Sequence, residues 1–545
     1  MASLFGVAMS ASAQFAGGTG TETDPYQIET AEQLQAVSDY ATSYFVLNND
    51  IDLADVTWTP IAAGGAFTGN FDGNGKTVSN LVIENGNSGL GLFSRVNTPG
   101  VVKNLVIRDS YITGGDWCGI LCSTNGNWET KGGTFINCDI YDSSIEGGGS
   151  VGAFAGVAGG SFENCRAFNV TVEGSGTNIG GISGDNENGG HYWDCTFYGT
   201  IIANATVGGI CGFYNGTCSV DNCFENCAVY GTVTSSSGTA AGLLGTPNWN
   251  TTNAHIINCA VFADVAGQAV GSFGGNALRG QLVNSYATGN VKATGLWSHD
   301  GYDDPWNGGL CAVNFNGPIQ DCYYSGTVTK TVDDVKIAGI CGRNWPGIVV
   351  KNCYYNSDGA PMGMGDGDDP TVYDTHAMIP EDMTTLANYS FSDMSKWRNI
   401  DGETTPFFAN QTAPVKFTEC TTAKIAGTGD KDLAYVYLIG SMSESIRNAV
   451  SVADGTWTVS LEDGDVVEGE TITAVGFGTD KMPSMVAKMK VVKDDGTGIS
   501  ALTPSQAGAK LVGIYNAAGQ AQRFIQKGQV NILKYDNGTT VKVCK

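Results

Sequence analysis

Between Leu90 and Asn356 the chain repeats one pattern about nine times, and this recurrence restricts the fold more than any other feature of the 545 residues. Its clearest copy is Val207–Val233, VGGICGFYNGTCSVDNCFENCAVYGTV. A Gly-framed apolar step is followed by a polar insert carrying an aromatic, then by Asn-Cys and an alternating run. Aligning the copies gives two columns. The first holds Phe93, Leu121, Phe154, Ile182, Ile210, Leu243, Phe273, Leu310 and Ile340, all large and apolar. The second holds Asn80, Asn104, Asn137, Asn164, Asp194, Asn226, Asn258, Asn284, Asp321 and Asn352. Spacings of about 24–37 residues along the second column suit a solenoid with loops of variable length.

No helical period runs inside a unit, and each column is followed by one or two short alternating strands. One turn of a parallel β-coil per unit is therefore expected. Stacked turns bury the apolar column as a ladder, and the backbone pairs with the units above and below. Asn side chains stacked at about 4.8 Å can hydrogen-bond along the axis, which explains why Asp and no apolar residue replaces them. Cys138, Cys165, Cys195, Cys227, Cys259, Cys322 and Cys353 each follow the polar ladder, and Cys122, Cys211, Cys311 and Cys341 each follow the apolar one. Such positions suit small buried hydrophobes better than bridges. A local disulfide such as Cys218 to Cys223 stays open. No His accompanies the close cysteine pairs, so they do not match a zinc pattern.

Glycine is 77 of 545 residues without a Gly-X-Y period, which excludes collagen, and 42% apolar residues exclude a disordered chain. The formal charge of −26 repels phosphate backbones and anionic membranes, so neither nucleic acid nor a membrane surface is an expected partner. No apolar run reaches the ~20 residues of a membrane span. Residues 1–13 have a short apolar core and small residues at Ala11-Ser12-Ala13, and read as the residual part of a secretory signal.

Further resolution comes from resemblance. The succession GTGTETDPYQI, EQLQAV, YFVLNNDIDL, FTGNFDGNGKTVSNLVI and GLFSRV, with the step Gly91-Leu92-Phe93-Ser94, resembles the opening of bacterial GLUG-repeat surface proteins, over about residues 17–411. The resemblance implies a right-handed parallel β-helix of about nine to ten coils in an extracellular, often adhesive, setting. Read from the residues themselves, Thr30 with Gln33 three places on is the N-cap of a short helix to Tyr40, which would lie over the first open edge as part of an N-terminal cap at 14–80. The coils would occupy 81–360 and a C-terminal cap 361–411. Asp454-Gly455-Thr456-Trp457 and Glu468-Gly469-Glu470-Thr471 are similar to bacterial Ig-like repeats, and ten-residue turn spacing suits a small β-sandwich over 412–493. Ile514-Tyr515-Asn516, Lys527-Gly528 and Val541-Lys542-Val543 resemble the sorting module of exported Bacteroidetes proteins, over 494–545. That resemblance implies surface attachment by the type IX route. An all-β, monomeric protein, secreted or on the outer face of the outer membrane, is expected.

Two features could touch another molecule. The insert between the columns repeatedly carries an aromatic: Trp128, Tyr192 with Trp193, Tyr214, Trp249, Phe315 and Trp345. Rings at one corner of successive coils would form a ridge suited to stacking on sugars, unless each folds back over its own corner. The second feature is the longest insertion, 295–306, which holds Trp297, His299, Asp300, Asp303, Asp304 and Trp306. Its carboxylates Asp300, Asp303 and Asp304 are hard oxygen ligands of the kind calcium takes. Asp366, Asp368 and Asp369 permit the same reading. The alternative is a solvated loop folded over its own Trp side chains.

No His-Glu-x-x-His, Gly-x-Ser-x-Gly or phosphate-binding Gly loop occurs, and no catalytic residue is assigned. The expected work is non-catalytic binding of an extracellular glycan or of a host or bacterial surface protein. The alternatives are a polysaccharide lyase or glycoside hydrolase built on a β-helix, with Asp300 or Asp303 in the chemistry, and a purely structural stalk.

Overall fold

The computed structural model describes residues 14–544 apart from 85, 217–222, 250–252, 300–301, 368–371, 441–449, 463, 480, 494–510, 517–520, 523–529 and 536–539. The chain divides into two compact units, 1–409 and 410–545.

The first unit is a parallel β-solenoid of about ten turns. Short strands recur once per coil and pair in parallel with their equivalents. One series runs from Tyr26–Ile28 through Tyr44–Leu47, Asn70–Asp72 and Val101–Lys103 onward to Val350–Asn356. The stack thus begins at Tyr26, within the segment expected to be the N-terminal cap. The expected helix is a single α-turn, Ala31–Gln35, continued as 3-10 over Ala36–Tyr40. Thr30 accepts the Gln33 N–H, and the Gln33 side chain accepts from the Glu29 N–H. Leu34 and Val37 are buried. The helix does not precede the array. It lies between two paired strands, since Tyr26 registers with Phe45.

The apolar column is the core: Leu121, Phe154, Ile182, Ile210, Leu243, Phe273, Leu310 and Ile340 are all buried. Phe93 departs from the expected alignment by one place. It pairs with Cys122, so Leu92 takes the column position. The polar ladder is real and has a backbone cause. Asn104, Asn137, Asn164, Asp194, Asn226, Asn258, Asn284, Asp321 and Asn352 all have φ between 47° and 55°. This left-handed region costs most side chains steric energy, and Asn and Asp tolerate it best after Gly. Several of their side chains also bond along the axis, as from Asn226 to Asp194 (3.1 Å) and from Asn352 to Asp321 (2.8 Å). Asn80 belongs to a second corner instead. It registers with Asp109, Asp142 and Asn169, all left-handed as well, and Asn169 donates to Asp142 at 2.8 Å.

Fourteen described cysteines are buried, and none of them is in a disulfide. Cys223 is among them, whereas its suggested partner Cys218 lies outside the described residues. Burial pushes the Cys122, Cys211 and Cys353 thiols up to about 12, and the thiols sit against carbonyl oxygens, as Cys195 does against Phe162 O (3.4 Å). Gly209 shows how closely the coils approach. A Cβ there would lie 1.9 Å from Gly242 O and 2.5 Å from a Val229 methyl.

The second unit is antiparallel. Lys416–Cys420, Lys424–Thr428 and Thr456–Ser460 form one sheet. Val450–Ser451, Leu433–Ile439, Thr471–Gly478 and Ala487–Lys490 form another. Both contribute to one core through Ile425, Trp457, Val436 and Ile472. A separate four-stranded antiparallel sheet holds Leu511–Asn516, Ala521–Gln522, Val530–Tyr535 and Thr540–Cys544.

Candidate binding pocket

One face of the solenoid is a parallel sheet running through Cys122–Asn125, Ala155–Ala158, Ser183–Asn186, Cys211–Tyr214 and Leu244–Pro247. Isolated bridges through Gly274 carry it on to Leu278–Arg279, Cys311–Asn316 and Cys341–Asn344. Because each strand is one coil, residues distant in sequence become neighbours at coil spacing. Phe213 registers with Asp185 on one side and Thr246 on the other.

The outer side of this face carries a pocket of about 260 Å³. Its aromatic lining is Phe213, Phe315 and Trp297 from three strands and Trp249 from the turn after Leu244–Pro247, and Thr246, Asn248, Asn276, Arg279 and Asp304 supply polar groups. Trp249 is 75% exposed. Trp297, Trp306 and Phe315 pack on an apolar floor of Ala269, Ala312 and Val313, which fixes their rings. The Arg279 guanidinium lies over the Phe315 ring, 4.5 Å from its centre. Phe315 stacks on Trp345 at 5.2 Å, and Arg343 lies over Trp345 at 5.3 Å. Half-burial holds the Arg279 pKa below its ordinary value, and its Nε is buried with no acceptor among the described residues.

The expected ridge is thereby divided. Tyr192 and Tyr214 are not surface rings: both are buried. Tyr192 stacks between Phe162 and Phe224 at 5.1 and 5.0 Å, and its hydroxyl meets Ser183 Oγ and Asn186 Nδ2. Tyr214 packs on Phe224 and donates to Gly190 O (3.3 Å). The cause is strand alternation, which sends adjacent residues to opposite sides. Trp193 follows Tyr192 outward on a different sheet, where it stacks on His191 at 3.8 Å beside Glu163. Trp128 is 69% exposed, and its backbone N–H donates to Glu187. Only Trp249, Trp297 and Phe315 of the expected aromatics line the pocket, with Trp345 stacked beside Phe315.

The long insertion folds back as a two-stranded antiparallel hairpin, Trp297–His299 with Tyr302–Asp304. Trp297 pairs with Asp304, and both reach the pocket. Asp303 accepts from Ser298 Oγ, while Asp304 accepts the Trp306 N–H at 3.2 Å. Trp306 lies outside the lining, under Lys336 Nζ at 4.3 Å. Asp300 and the His299 side chain lie outside the described residues. Among the described residues no three His, Cys, Asp or Glu side chains gather as for a metal ion. Asp366 accepts from the Asn344 N–H and the Tyr373 hydroxyl, whereas Asp368 and Asp369 lie outside the described residues.

Sequence reasoning missed Phe213, Asn276 and Arg279 as pocket residues. Alternation does require one of Phe213 and Tyr214 to face out, but not which one. For Arg279 the one signal was its rarity, as one of few cations in an acidic array.

No family model matches the chain, and no solved structure matches it. Two curated proteins do, each over a fraction of its length. Halomucin of Haloquadratum walsbyi is 34% identical over 125 residues, covering 20% of this chain and 1% of that protein. A putative Gly-rich membrane protein of Evansella cellulosilytica is 38% identical over 113 residues, covering 19% of this chain and 13% of that protein. Among the described residues no helix is long and apolar enough to cross a membrane. The chain thus spans only a small part of the curated relatives it matches, and their names speak of mucin and membrane.

Proposed function

We propose that this is an exported, non-catalytic glycan-binding protein of the cell surface, with the pocket of Phe213, Trp249, Trp297 and Phe315 as its binding surface. The observation that carries the reading is the convergence of four aromatic side chains from separate coils on one pocket, beside polar groups such as Asn276, Arg279 and Asp304. Sugar rings present apolar C–H faces to such rings and hydroxyls to groups like Asn276 and Asp304. The lining holds a single carboxylate, whereas glycoside hydrolysis in its common form uses two, so binding is favoured over cleavage.

The remaining assignments belong to the same proposal. The coils are GLUG-like repeats, the helix at Ala31–Tyr40 shields the open end, and unit 410–545 combines an Ig-like module with a surface-sorting tail. The partly matching proteins with surface-related names support an extracellular place for it.

A glycan array probed with the full chain, followed by calorimetry on the hits, tests this reading. Trp249→Ala and Phe315→Ala should each weaken binding by about tenfold, the scale of one lost stacking contact. Absence of any glycan hit, or unchanged affinity in both variants, would exclude the pocket as a sugar site.

A further inference from the structure

We infer that the pocket selects an anionic sugar, one bearing a carboxylate or sulfate, and that Arg279 is the residue that selects it. The inference rests on the glycan reading above and adds the class of sugar. Arg279 lines the pocket beside the aromatic rings. It is half-buried on Phe315, 4.5 Å from the ring centre, and forms no ion pair among the described residues. Its Nε has no acceptor there, and neither has the buried Oδ1 of Asn276 a donor. A guanidinium taken partly out of water without a counter-charge is costly, and a bound anion supplies what is missing.

The surrounding charge sharpens the point. In a chain of net charge −26, three cations gather on this stretch of solenoid, each resting on an aromatic ring. They are Arg279 on Phe315, Arg343 on Trp345 and Lys336 on Trp306. None of the three forms a salt bridge among the described residues. Phe315 and Trp345 are themselves stacked, so Arg279 and Arg343 flank one aromatic column from strands two coils apart, with Cys311–Asn316 between them. A polysaccharide with a repeating acid group, running along the axis, would stack on the column and meet a guanidinium at each end of it. Asp304 is the opposing charge in the lining; it accepts the Trp306 N–H and does not pair with Arg279. Guanidinium is suited to this role because its planar fork holds carboxylate or sulfate oxygens in pairs, which an ammonium cannot do.

The test compares binding of the full chain to polygalacturonate, to the same polymer fully methyl-esterified, and to a sulfated glycosaminoglycan. Wild-type chain should bind at least one anionic polymer about tenfold more tightly than the ester, with the difference shrinking as salt rises. Arg279→Met should abolish that preference, and Arg279→Lys should restore only part of it. Circular dichroism and the melting temperature show that each variant is folded. If Arg279→Met does not fold, Arg343→Met, at the other end of the column, should still reduce the preference by about threefold. Preference for the polygalacturonate or for the sulfated polymer distinguishes the two anions, and either supports the inference. Equal binding of acid and ester, or a preference that survives both substitutions, overturns the anionic class while leaving glycan binding intact. Failure to bind all three polymers, with neutral glycans bound elsewhere on an array, also overturns it; failure with every glycan removes the underlying reading.

Discussion

Asn164 donates its side-chain amide to Oδ1 of Asn137, one coil away, at 2.9 Å, and both residues hold left-handed backbones. The residue type therefore satisfies two demands at once, a positive φ and an axial hydrogen bond. Asn164→Ala should lower stability by about 1–2 kcal/mol, combining the steric cost of the left-handed turn with the lost bond. Asn164→Gly should cost less, since glycine removes only the bond. Urea melts of the three proteins measure the order; equal losses for Ala and Gly would show that φ is not the issue.

Close approach between coils makes a sharper demand at Gly209. A methyl added there would stand 1.9 Å from Gly242 O, so Gly209→Ala forces the backbones of adjacent coils apart. A loss of several kcal/mol, or failure to accumulate folded protein, is expected. Gly65 is the control, because a Cβ there would meet nothing nearer than Ala62 O at 4.0 Å. The folding yields of the two alanine variants give the comparison, and similar yields would count against the close contact.

Asp185 should make the stability of the solenoid depend on pH. It is 7% exposed, Asn178 donates to its Oδ2 at 3.1 Å, and its Oδ1 has no partner among the described residues. Burial first, then the nearby Glu187 carboxylate, raises its pKa from 3.8 to about 7. The folded state thus holds a proton that the unfolded chain gives up above about pH 4, so this group favours folding most at low pH. Its contribution declines as pH rises from about 4 to about 7 and is constant beyond. Asp185→Asn should remove that decline, raising the melting temperature at pH 8 relative to the parent and changing little at pH 4. A parent and variant whose melting temperatures run parallel from pH 4 to 8 would contradict it.

The stacked thiols should be chemically silent. Deep burial disfavours the thiolate at Cys122, Cys211 and Cys353, and thiolate is the reactive form. In a Cys218→Ser, Cys544→Ser background, a thiol reagent should label the native protein slowly and the denatured protein completely. Reductant should leave the melting temperature unchanged. Rapid native labelling, or melting that shifts with reductant, would count against a ladder of packed thiols.

Much of the coil was legible because its constraints repeat. Ile182, Ile210 and Leu243 recur at the core position, and Asn164, Asn226 and Asn352 recur at the corner, so one reading serves for all. The errors fall where repetition fails to specify a detail. Asn80 and Phe93 stand at the start of the array, where coil length changes and a spacing alone does not say which corner or which step a residue occupies. The pocket was less legible, since Phe213, Arg279 and Phe315 are 36 or more positions apart and acquire their meaning only from register. An outward reading of Tyr192 and Tyr214 fails because an aromatic in an insert looks the same whether it turns in or out. That choice is made by parity along the strand, which Gly-rich irregular steps obscure.

The corner asparagines have an evolutionary consequence. Where consecutive coils share the corner bond, as Asn137 with Asn104 and Asn164 with Asn137, a whole segment from one corner to the following one can be deleted or duplicated and leave an equivalent joint behind. Length is then an independent variable, adjustable in quanta of one coil, and the distance the solenoid spans can change while the pocket between Phe213 and Phe315 keeps its composition. Reach and selectivity can in this way be inherited and altered separately.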